Sequence, residues 1–271
     1  MAQLERVLPL LDFVELSPEL LYLDGVRPAA RREELLAWVR GREVACVGHG
    51  LSGNLGGVDP LPPGWLERLQ ADQRDFGFAW YSEHLGAGAH GGVELTLPLP
   101  LPPTDEAVGV VVARLRAIAE VVPQVAFEHV AVPLTLMPAL EEPAFLNRIA
   151  REAGCGIVLD LHNAYVQCVN AGVELDAWLA RLELERVLEV HLAGGQDSDP
   201  SWLPSGRSMR LDSHDAAIPE PVWAALEALL PRCPALRGVV LERLPQALPP
   251  AAWGPYAAEV ARARELLCSA R

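Results

Sequence analysis

The chain contains no lysine, so all 22 of its Lys and Arg side chains are arginine. A chain without lysine cannot form a lysine Schiff base, and it cannot place the lysine of a P-loop on a nucleotide phosphate. Acidic residues outnumber basic ones, since 36 Asp and Glu residues against 22 arginines leave a formal net charge of −14. Nucleic acid is therefore not an expected partner, since binding its backbone needs clustered positive charge.

Long apolar runs and paired cysteines are missing as well. No apolar run reaches the roughly 18 residues that a membrane span needs. The N-terminus, MAQLERVLPLLDFVEL, carries acids and lacks the basic start and cleavage site of a signal peptide. The five cysteines are odd in number and include no C-x-x-C pair. We therefore expect reduced thiols in a cytoplasmic protein without a membrane partner.

Short apolar runs alternate with segments of helical period along the chain. The predicted strands are Val7–Leu16, Glu43–Gly48, Phe76–Ser82, Gln124–His129, Gly156–Leu161, Val187–Leu192 and Gly238–Leu241, with a weaker one at Ser208–Leu211. The predicted helices are Arg31–Arg40, Pro63–Arg74, Asp105–Val121, Pro143–Ala153, Leu175–Leu182, Pro221–Leu230 and Pro255–Leu267. This alternation predicts parallel strands joined by helical crossovers.

Two α/β architectures fit this order, a closed (β/α)8 TIM barrel and an open doubly wound sheet. No Gly-rich phosphate-binding turn follows the first strand, which removes the commonest reason to prefer the open sheet. The length of 271 residues lies within the range of one barrel. We therefore predict a single TIM-barrel domain over residues 1–271.

Side chains that bind metal ions cluster where the predicted strands end, which is where barrel enzymes carry their chemistry. Six of the seven histidines lie at such ends, and only His90 does not. The candidate metal ligands are His49, His84, Glu128, Asp160, Asn163, His191, Asp212, His214 and Glu242.

Imidazole and carboxylate without thiolate is a ligand set for Fe, Mn, Zn or Ni. One ion takes about three or four protein ligands, so this set predicts two or three ions if some carboxylates bridge. Each residue alone has a simpler role as a helix cap, a turn residue or a hydrogen-bonded core histidine. His129, His162 and Glu83 are candidates for residues that orient the ligands, and no catalytic residue is assigned beyond these.

Several strand ends lie within longer motifs. In chain order they are GHGLSGNLG, YSEHLG, FEHV, VLDLHNAYVQCVNAG, VHLAGG, LDSHDAAIPEPVW and VLERLP. In content and order the chain resembles the DUF692 family, the multinuclear non-haem iron-dependent oxidases related to the methanobactin-maturation oxidase. The resemblance covers nearly the whole chain, and LDLHNAYVQCVNAG followed by HLAGG is its most specific part.

The resemblance implies a barrel like that of xylose isomerase with two or three iron ions. It implies an enzyme that uses O₂ to oxidise residues, often cysteine, of a ribosomally made precursor peptide. It also implies a small companion protein that recognises the leader of the peptide. Carried over by position, the three iron sites would be His49 and His84 with Glu128 as a bridge; Asp160, His191 and Glu242; and Asn163, Asp212 and His214.

The chain departs from the family pattern at three places. After the first strand, family members often have Glu-Asn, where this chain reads Glu15-Leu16-Ser17. The residue after the bridging Glu is His129 instead of Asn, and the Asp-x-Asn-Asn pattern reads Asp160-Leu161-His162-Asn163. The ligand positions survive, but the neighbours that shape substrate contacts differ.

Two other functions fit parts of the pattern. Endonuclease-IV-like and sugar-isomerase barrels bind Zn or Mn with similar ligands, but DNA binding needs basic loops and xylose-type isomerases usually employ a lysine. A metal-free barrel that acts as a non-catalytic binding subunit would have to bear the repulsion among its converging carboxylates. The polar loop Gly195–Arg207 is long enough to contact a substrate or partner, and equally fits a solvated loop.

Overall fold

A computed structural model describes residues 7–23, 27–131 and 136–270, and all structural statements refer to these residues. The chain divides into two compact units. The N-terminal unit comprises Asp12–Val130 and Arg148–Ile157, and the C-terminal unit comprises Met1–Leu11, Ala131–Asn147 and Val158–Arg271. The expectation of a single domain stays a prediction.

The alternation of strands and helices predicted from the sequence is present. The strands are β1 Phe13–Leu16, β2 Tyr22–Leu23, β3 Arg27–Pro28, β4 Ala45–Gly50, β5 Tyr81–His84, β6 Ala87–His90, β7 Val93–Leu99, β8 Val125–Glu128, β9 Gly156–Asp160, β10 Val187–Leu192 and β11 Gly238–Leu241. The helices are α1 Ala30–Arg42, α2 Trp65–Phe76, α3 Asp105–Ala119, α4 Glu142–Ala153, α5 Leu161–Ala171, α6 Leu175–Leu179, α7 Glu220–Leu229 and α8 Trp253–Ser269. Within the described ranges, no helix has both the length and the apolar character to cross a membrane.

In the N-terminal unit, β1, β4, β5 and β8 pair side by side in parallel. The register between β5 and β8 sets His84 opposite Glu128 at their carboxyl-terminal ends. Helix α3 packs on β8 through a stripe of buried aliphatic residues at helical spacing, which includes Val111, Leu115 and Ile118. The core thus lies behind the strands and leaves their carboxyl-terminal ends to polar side chains.

In the C-terminal unit, β10 pairs in parallel with β11 and has β9 on its other side. Helix α5 packs against β10, α6 and α7. It begins directly after β9 because the carboxylate of Asp160 caps it, accepting a hydrogen bond from the N–H of Asn163 over 2.8 Å. It ends at Gly172, whose φ of 69° is the left-handed conformation that favours glycine.

Some elements differ from the sequence predictions. The first strand begins at Phe13 and not at Val7, because the Pro-containing segment Leu8–Leu10 forms a 3-10 turn. The strand predicted at Ser208–Leu211 was wrong, since Arg210 forms only an isolated bridge to Asp197 within one loop. The sequence predictions also missed α5 and the antiparallel pair β6–β7.

Four of the five cysteines, Cys46, Cys155, Cys168 and Cys233, are buried, and Cys268 is exposed. Burial raises the pKa of the Cys46 and Cys233 thiols to about 11. It raises that of Cys168, with help from the charges of Glu142 and Glu174, to about 12. These thiols are packing residues of the core, as buried cysteines commonly are.

Candidate metal centre

Three predicted ligands meet at the carboxyl-terminal strand ends of the N-terminal unit. His49 lies on β4, His84 ends β5 and Glu128 ends β8. The Nε2 atoms of His49 and His84 each lie 3.1 Å from the same oxygen, Oε2 of Glu128. The two imidazole rings are 4.5 Å apart between centroids. Two imidazoles and one carboxylate therefore converge on a volume the size of one ion.

The second ring nitrogen of each histidine is held by a neighbour. Nδ1 of His84 lies 2.9 Å from the carbonyl oxygen of Gly50, which can only accept, so Nδ1 donates the proton. Nδ1 of His49 lies 2.7 Å from the hydroxyl of Ser82. In the neutral ring of His84, Nε2 then turns a lone pair toward the carboxylate of Glu128. A cation between the two atoms relieves that repulsion, and the partner on Nδ1 is the arrangement typical of metal-binding histidines.

Glu83, predicted to orient ligands, is fully buried next to His84. The hydroxyl of Tyr81 donates to Oε2 of Glu83 over 3.0 Å, and the N–H of His84 donates to its Oε1 over 3.3 Å. Burial, together with the charge of Glu19, raises the pKa of Glu83 to about 8. Position 50 must be glycine because a Cβ there would overlap both the Tyr81 hydroxyl and the Glu83 carboxylate.

Glu15 is a donor that sequence reasoning left in doubt. It lies on β1, which pairs with β4, and one of its carboxylate oxygens is within 4.8 Å of a ring nitrogen of His49. Glu15 was not among the predicted ligands because the sequence Glu15-Leu16-Ser17 departs from the family pattern. The signal that could have found it is an acid near the end of a strand that neighbours a histidine-bearing strand.

In the C-terminal unit, Asp160, His191 and Glu242 form a second group, with one donor atom of each within 4.8 Å of the others. Asp160 ends β9, His191 lies on β10 and Glu242 follows β11. Nδ1 of His191 lies 3.6 Å from Oε1 of Glu242, and its Nε2 lies 3.8 Å from Oε2 of Glu189. Asp160 and His191 are fully buried and Glu242 is half-buried, and Asp160 serves both as a member of the group and as the cap of α5.

Asp212 and His214 lie on the loop between β10 and α7. Oδ1 of Asp212 is 2.8 Å from Nδ1 of His162 and 2.9 Å from Nε2 of His214. Nδ1 of His214 lies 3.7 Å from Oε2 of Glu242, so this pair adjoins the second group. His214 has a φ of 51°, a conformation that non-glycine residues adopt at a cost and that recurs at functional sites.

Electrostatics make Asp212 and His214 an ion pair. Burial acts to raise the pKa of Asp212, but the hydrogen bonds from His162 and His214 outweigh it and lower the pKa to about 2. Burial acts to lower the pKa of His214, but Asp212 and Glu242 raise it to about 9. Without a metal ion, His214 therefore holds a proton where a bound ion would displace it.

The two glycines of the HLAGG motif allow this loop to fold back. A Cβ at Gly194 would overlap the carbonyl oxygens of Ala216 and Ala217. A Cβ at Gly195 would overlap the carbonyl oxygen of Leu211. The motif thus serves the close backbone approach that places Asp212 and His214 beside the strand ends.

The remaining candidate residues have fewer contacts that bear on metal binding. Asn163 is buried in the first turn of α5, and its N–H is bonded to Asp160. His129 is buried directly after β8. His90, expected away from strand ends, ends β6 of the two-stranded sheet and is exposed, with Nδ1 3.5 Å from a carboxylate oxygen of Asp59.

The donor chemistry of both groups fits a divalent transition metal. Their donors are imidazole nitrogens and carboxylate oxygens, and among the described residues no cysteine joins them. Nε2 of His162 is buried without a hydrogen-bond partner in the described part of the chain, although buried polar atoms normally have one. The residues present therefore fit the binding of metal ions.

Comparisons with known proteins identify relatives of the whole chain. A sequence model described as RiPP precursor modification enzyme MbnB/TglH/ChrH matches residues 1–268. A UPF0276 protein of Pseudomonas aeruginosa is 34% identical over 233 residues, which are 86% of this chain and 77% of that protein.

Solved structures resemble the chain in fold. One is a xylose isomerase-like TIM barrel protein from Mycobacterium smegmatis in complex with magnesium, with a TM-score of 0.60, 15% identity and coverage of 99% of this chain and 88% of that one. Another is a xylose isomerase domain-containing protein from Salmonella typhimurium, with a TM-score of 0.63, 14% identity and coverage of 98% and 90%. The predicted xylose-isomerase-like TIM-barrel fold is confirmed.

Proposed function

Because the chain belongs to the RiPP precursor modification enzymes of the MbnB/TglH/ChrH family, we propose that it is an iron-dependent oxidase that uses O₂ to modify a residue, often cysteine, of a precursor peptide. The observation that carries this proposal is the convergence of His49 and His84 on one oxygen of Glu128, each over 3.1 Å. Peptide modification follows from the family, whereas iron, O₂ and the oxidised residue are our proposal.

We propose that the metal is iron, as two or three ions, with Zn or Mn as the alternatives. The residues that would hold them are the nine predicted from the sequence: His49, His84, Glu128, Asp160, Asn163, His191, Asp212, His214 and Glu242. Iron would supply the change of oxidation state that oxidation of the peptide by O₂ requires. Glu15 is added as a candidate donor because of its approach to His49.

In this reaction the protein would orient the side chains that bind the metal and keep water away from them. Ser82 and the Gly50 carbonyl fix the rings of His49 and His84, so that both Nε2 atoms face one oxygen of Glu128. His162 does the same for the carboxylate of Asp212. Burial of most of these donors excludes water, which strengthens their electrostatic interaction with a bound ion.

We propose the precursor peptide as the substrate and a small companion protein as the partner that recognises its leader. The polar loop Gly195–Arg207 is a candidate contact for either, and its Trp202 is exposed. The formal charge of −14 supports neither nucleic acid binding nor a DNA-repair function. The core thiols fit a reducing compartment such as the cytoplasm.

The test is metal analysis with Mössbauer spectroscopy on protein purified without oxygen. We expect at least two iron equivalents per chain and exchange-coupled spectra. His84→Ala should lower the iron content, whereas His90→Ala should not, because the exposed His90 lies outside both donor groups. Protein that binds one zinc ion tightly and never takes up iron would contradict the oxidase and favour the hydrolytic alternative.

A further inference from the structure

Glu259 of α8 holds two of the segments that carry candidate ligands of the C-terminal unit, although it belongs to neither donor group. Its Oε2 accepts a hydrogen bond from Nη2 of Arg243 over 2.9 Å. Its Oε1 accepts one from the backbone N–H of Ile218 over 2.8 Å. Arg243 directly follows the candidate ligand Glu242, and Ile218 lies four residues after His214.

The two segments also meet each other. The N–H of Leu244 donates to the carbonyl oxygen of His214 over 2.9 Å, in the residue whose backbone is left-handed. A residue in that conformation keeps it only where its surroundings hold it. The bond from Leu244 fixes the carbonyl of His214, and Glu259 fixes the loop a few residues further on. Together these two hydrogen bonds fix the position of the loop relative to the end of β11.

The contact is sheltered and charge-assisted. The side chains of Arg243 and Glu259 are 9% and 16% exposed. A charged hydrogen bond in such surroundings is stronger and more directional than a surface ion pair. Tyr256, one turn before Glu259 on α8, donates from its hydroxyl to the carbonyl oxygen of Leu241 over 3.1 Å. Helix α8 therefore holds the chain on both sides of Glu242, at Leu241 and at Arg243.

Helix α8 has further anchors besides this contact. Trp253 packs with Val7 and Leu248 in a small hydrophobic cluster. Arg264 donates to the carbonyl oxygen of Leu10 over 2.8 Å. Loss of the Glu259 carboxylate should thus loosen the loop and the strand end relative to each other while the helix stays in place.

We propose that Glu259 is a positioning residue that sets the geometry between Glu242 and His214, and so couples α8 to metal binding. This inference rests on the proposed metal-binding function. The coupling must be reciprocal. If docking of α8 through Glu259 raises the affinity for metal, then bound metal must stabilise the docked α8 by the same free energy.

The experiment titrates the full chain with Co²⁺ without oxygen and follows the d–d absorption. Glu259→Ala should bind at least one equivalent about 10- to 100-fold more weakly, which is the usual effect of removing a residue that orients a ligand, and with an altered spectrum. Glu259→Gln keeps an oxygen acceptor and should lie between Glu259→Ala and the wild type. Glu220→Ala is the control. Glu220 of α7 accepts two hydrogen bonds from Arg262 of α8, over 2.6 and 2.9 Å, so this variant also removes a contact between a carboxylate and an arginine at α8, but it should change neither the affinity nor the spectrum.

Hydrogen exchange of α8 supplies the reciprocal readout. Added Co²⁺ should slow exchange in Trp253–Ser269 of the wild type, and this protection should disappear in Glu259→Ala. Unchanged affinity, spectrum and protection in that variant would overturn the inference and leave the proposed function intact. If Glu259→Ala does not fold, wild-type behaviour of Glu259→Gln would overturn it. A wild type that binds no Co²⁺ or Fe²⁺ would overturn both proposals.

Discussion

The carboxylate of Asp212 holds the imidazole of His162, with Oδ1 and Nδ1 2.8 Å apart and the histidine side chain fully buried. Because the carboxylate accepts the proton of Nδ1, the ring is fixed in one tautomer and orientation. The same hydrogen bond also fixes the orientation of the carboxylate of Asp212, which is a candidate ligand. This contact supports the prediction from the sequence that His162 orients a ligand, and its role is testable apart from that of the ligands.

Replacing His162 by Ala should weaken binding of the metal held by Asp212 about 10- to 100-fold, because the carboxylate loses the donor that orients it. Isothermal titration with Fe²⁺ or Mn²⁺ without oxygen measures this change. His162→Asn keeps a donor near the position of Nδ1 and should restore part of the affinity. Equal affinities for His162→Ala and the wild type would remove His162 from the metal centre.

Replacing Glu128 by Ala should cost at least one metal equivalent per chain, because two histidine rings face one of its oxygens. The predicted bridging role demands more, namely the loss of more than one equivalent. Metal content of the purified variant, measured by plasma emission, distinguishes these results. Glu94→Ala, which removes an exposed acid of β7, is the control. A variant that loses no metal would exclude Glu128 from the cluster.

The buried pair of Arg32 and Asp72 should matter for stability and not for metal. Arg32 donates to Asp72 from Nε and Nη2 over 3.1 and 2.7 Å, and Tyr22 donates to the same oxygen over 2.8 Å. Asp72→Ala should lower the free energy of unfolding by about 3 kcal/mol, since among the described residues it leaves a buried guanidinium with only the partly exposed Asp75, at 2.7 Å, and the exposed Glu33, at 3.5 Å, as acidic partners. Urea unfolding measures this loss.

The partly exposed Asp75 provides the comparison for that variant. Asp75→Ala should cost about 1 kcal/mol or less, because exposed ion pairs contribute little. Metal content should stay at the wild-type level in both variants. Equal stability losses for Asp72→Ala and Asp75→Ala would contradict the importance assigned to the buried pair.

Glu142 should make stability depend on pH. Burial raises its pKa in the folded protein from 4.5 to about 7, against hydrogen bonds from Gln167 and Trp178 that lower it. Between these two pH values the folded state holds the proton more tightly than the unfolded state, so stability falls as pH rises from about 4.5 through 7. The loss of unfolding free energy should reach about 3 kcal/mol.

Urea unfolding of the wild type and of Glu142→Gln at pH 5 and pH 8 isolates this contribution. The variant has no carboxyl to ionise, so its stability relative to the wild type should rise between the two pH values. A constant difference would show that Glu142 ionises alike in both states. The other titrating groups cancel in the comparison because the two proteins share them.

Strand ends were the most predictable part of this molecule. Glu128 closes a short apolar run and His84 follows another by two residues, and parallel pairing brings such ends to one edge of the sheet. Helix α5 was missed because its first turn, Leu161-His162-Asn163, reads as a loop until Asp160 is recognised as a cap. Asp160 is visible in the sequence as a possible helix cap, but the motif around it was interpreted as a set of metal ligands.

Contacts made through folded loops could not be predicted in the same way. Glu259 lies 41 residues from Ile218 in sequence, and nothing in either segment announces their hydrogen bond. The approach of Glu15 to His49 depends on the pairing of β1 with β4, while the sequence prediction began that strand six residues too early, at Val7 instead of Phe13. Register and loop closure are tertiary properties, which single-sequence patterns do not specify.

The burial of Cys46, Cys155, Cys168 and Cys233 has a chemical consequence for a protein proposed to handle dioxygen and peptide thiols. The thiolate is the form that attacks, binds iron and oxidises, and raised pKa values keep Cys46, Cys168 and Cys233 in the inert protonated form. These three thiols would thus neither compete with a substrate thiol nor accumulate damage over repeated turnovers. Only Cys268 faces solvent, which gives the chain a single handle for thiol-directed labels far along α8.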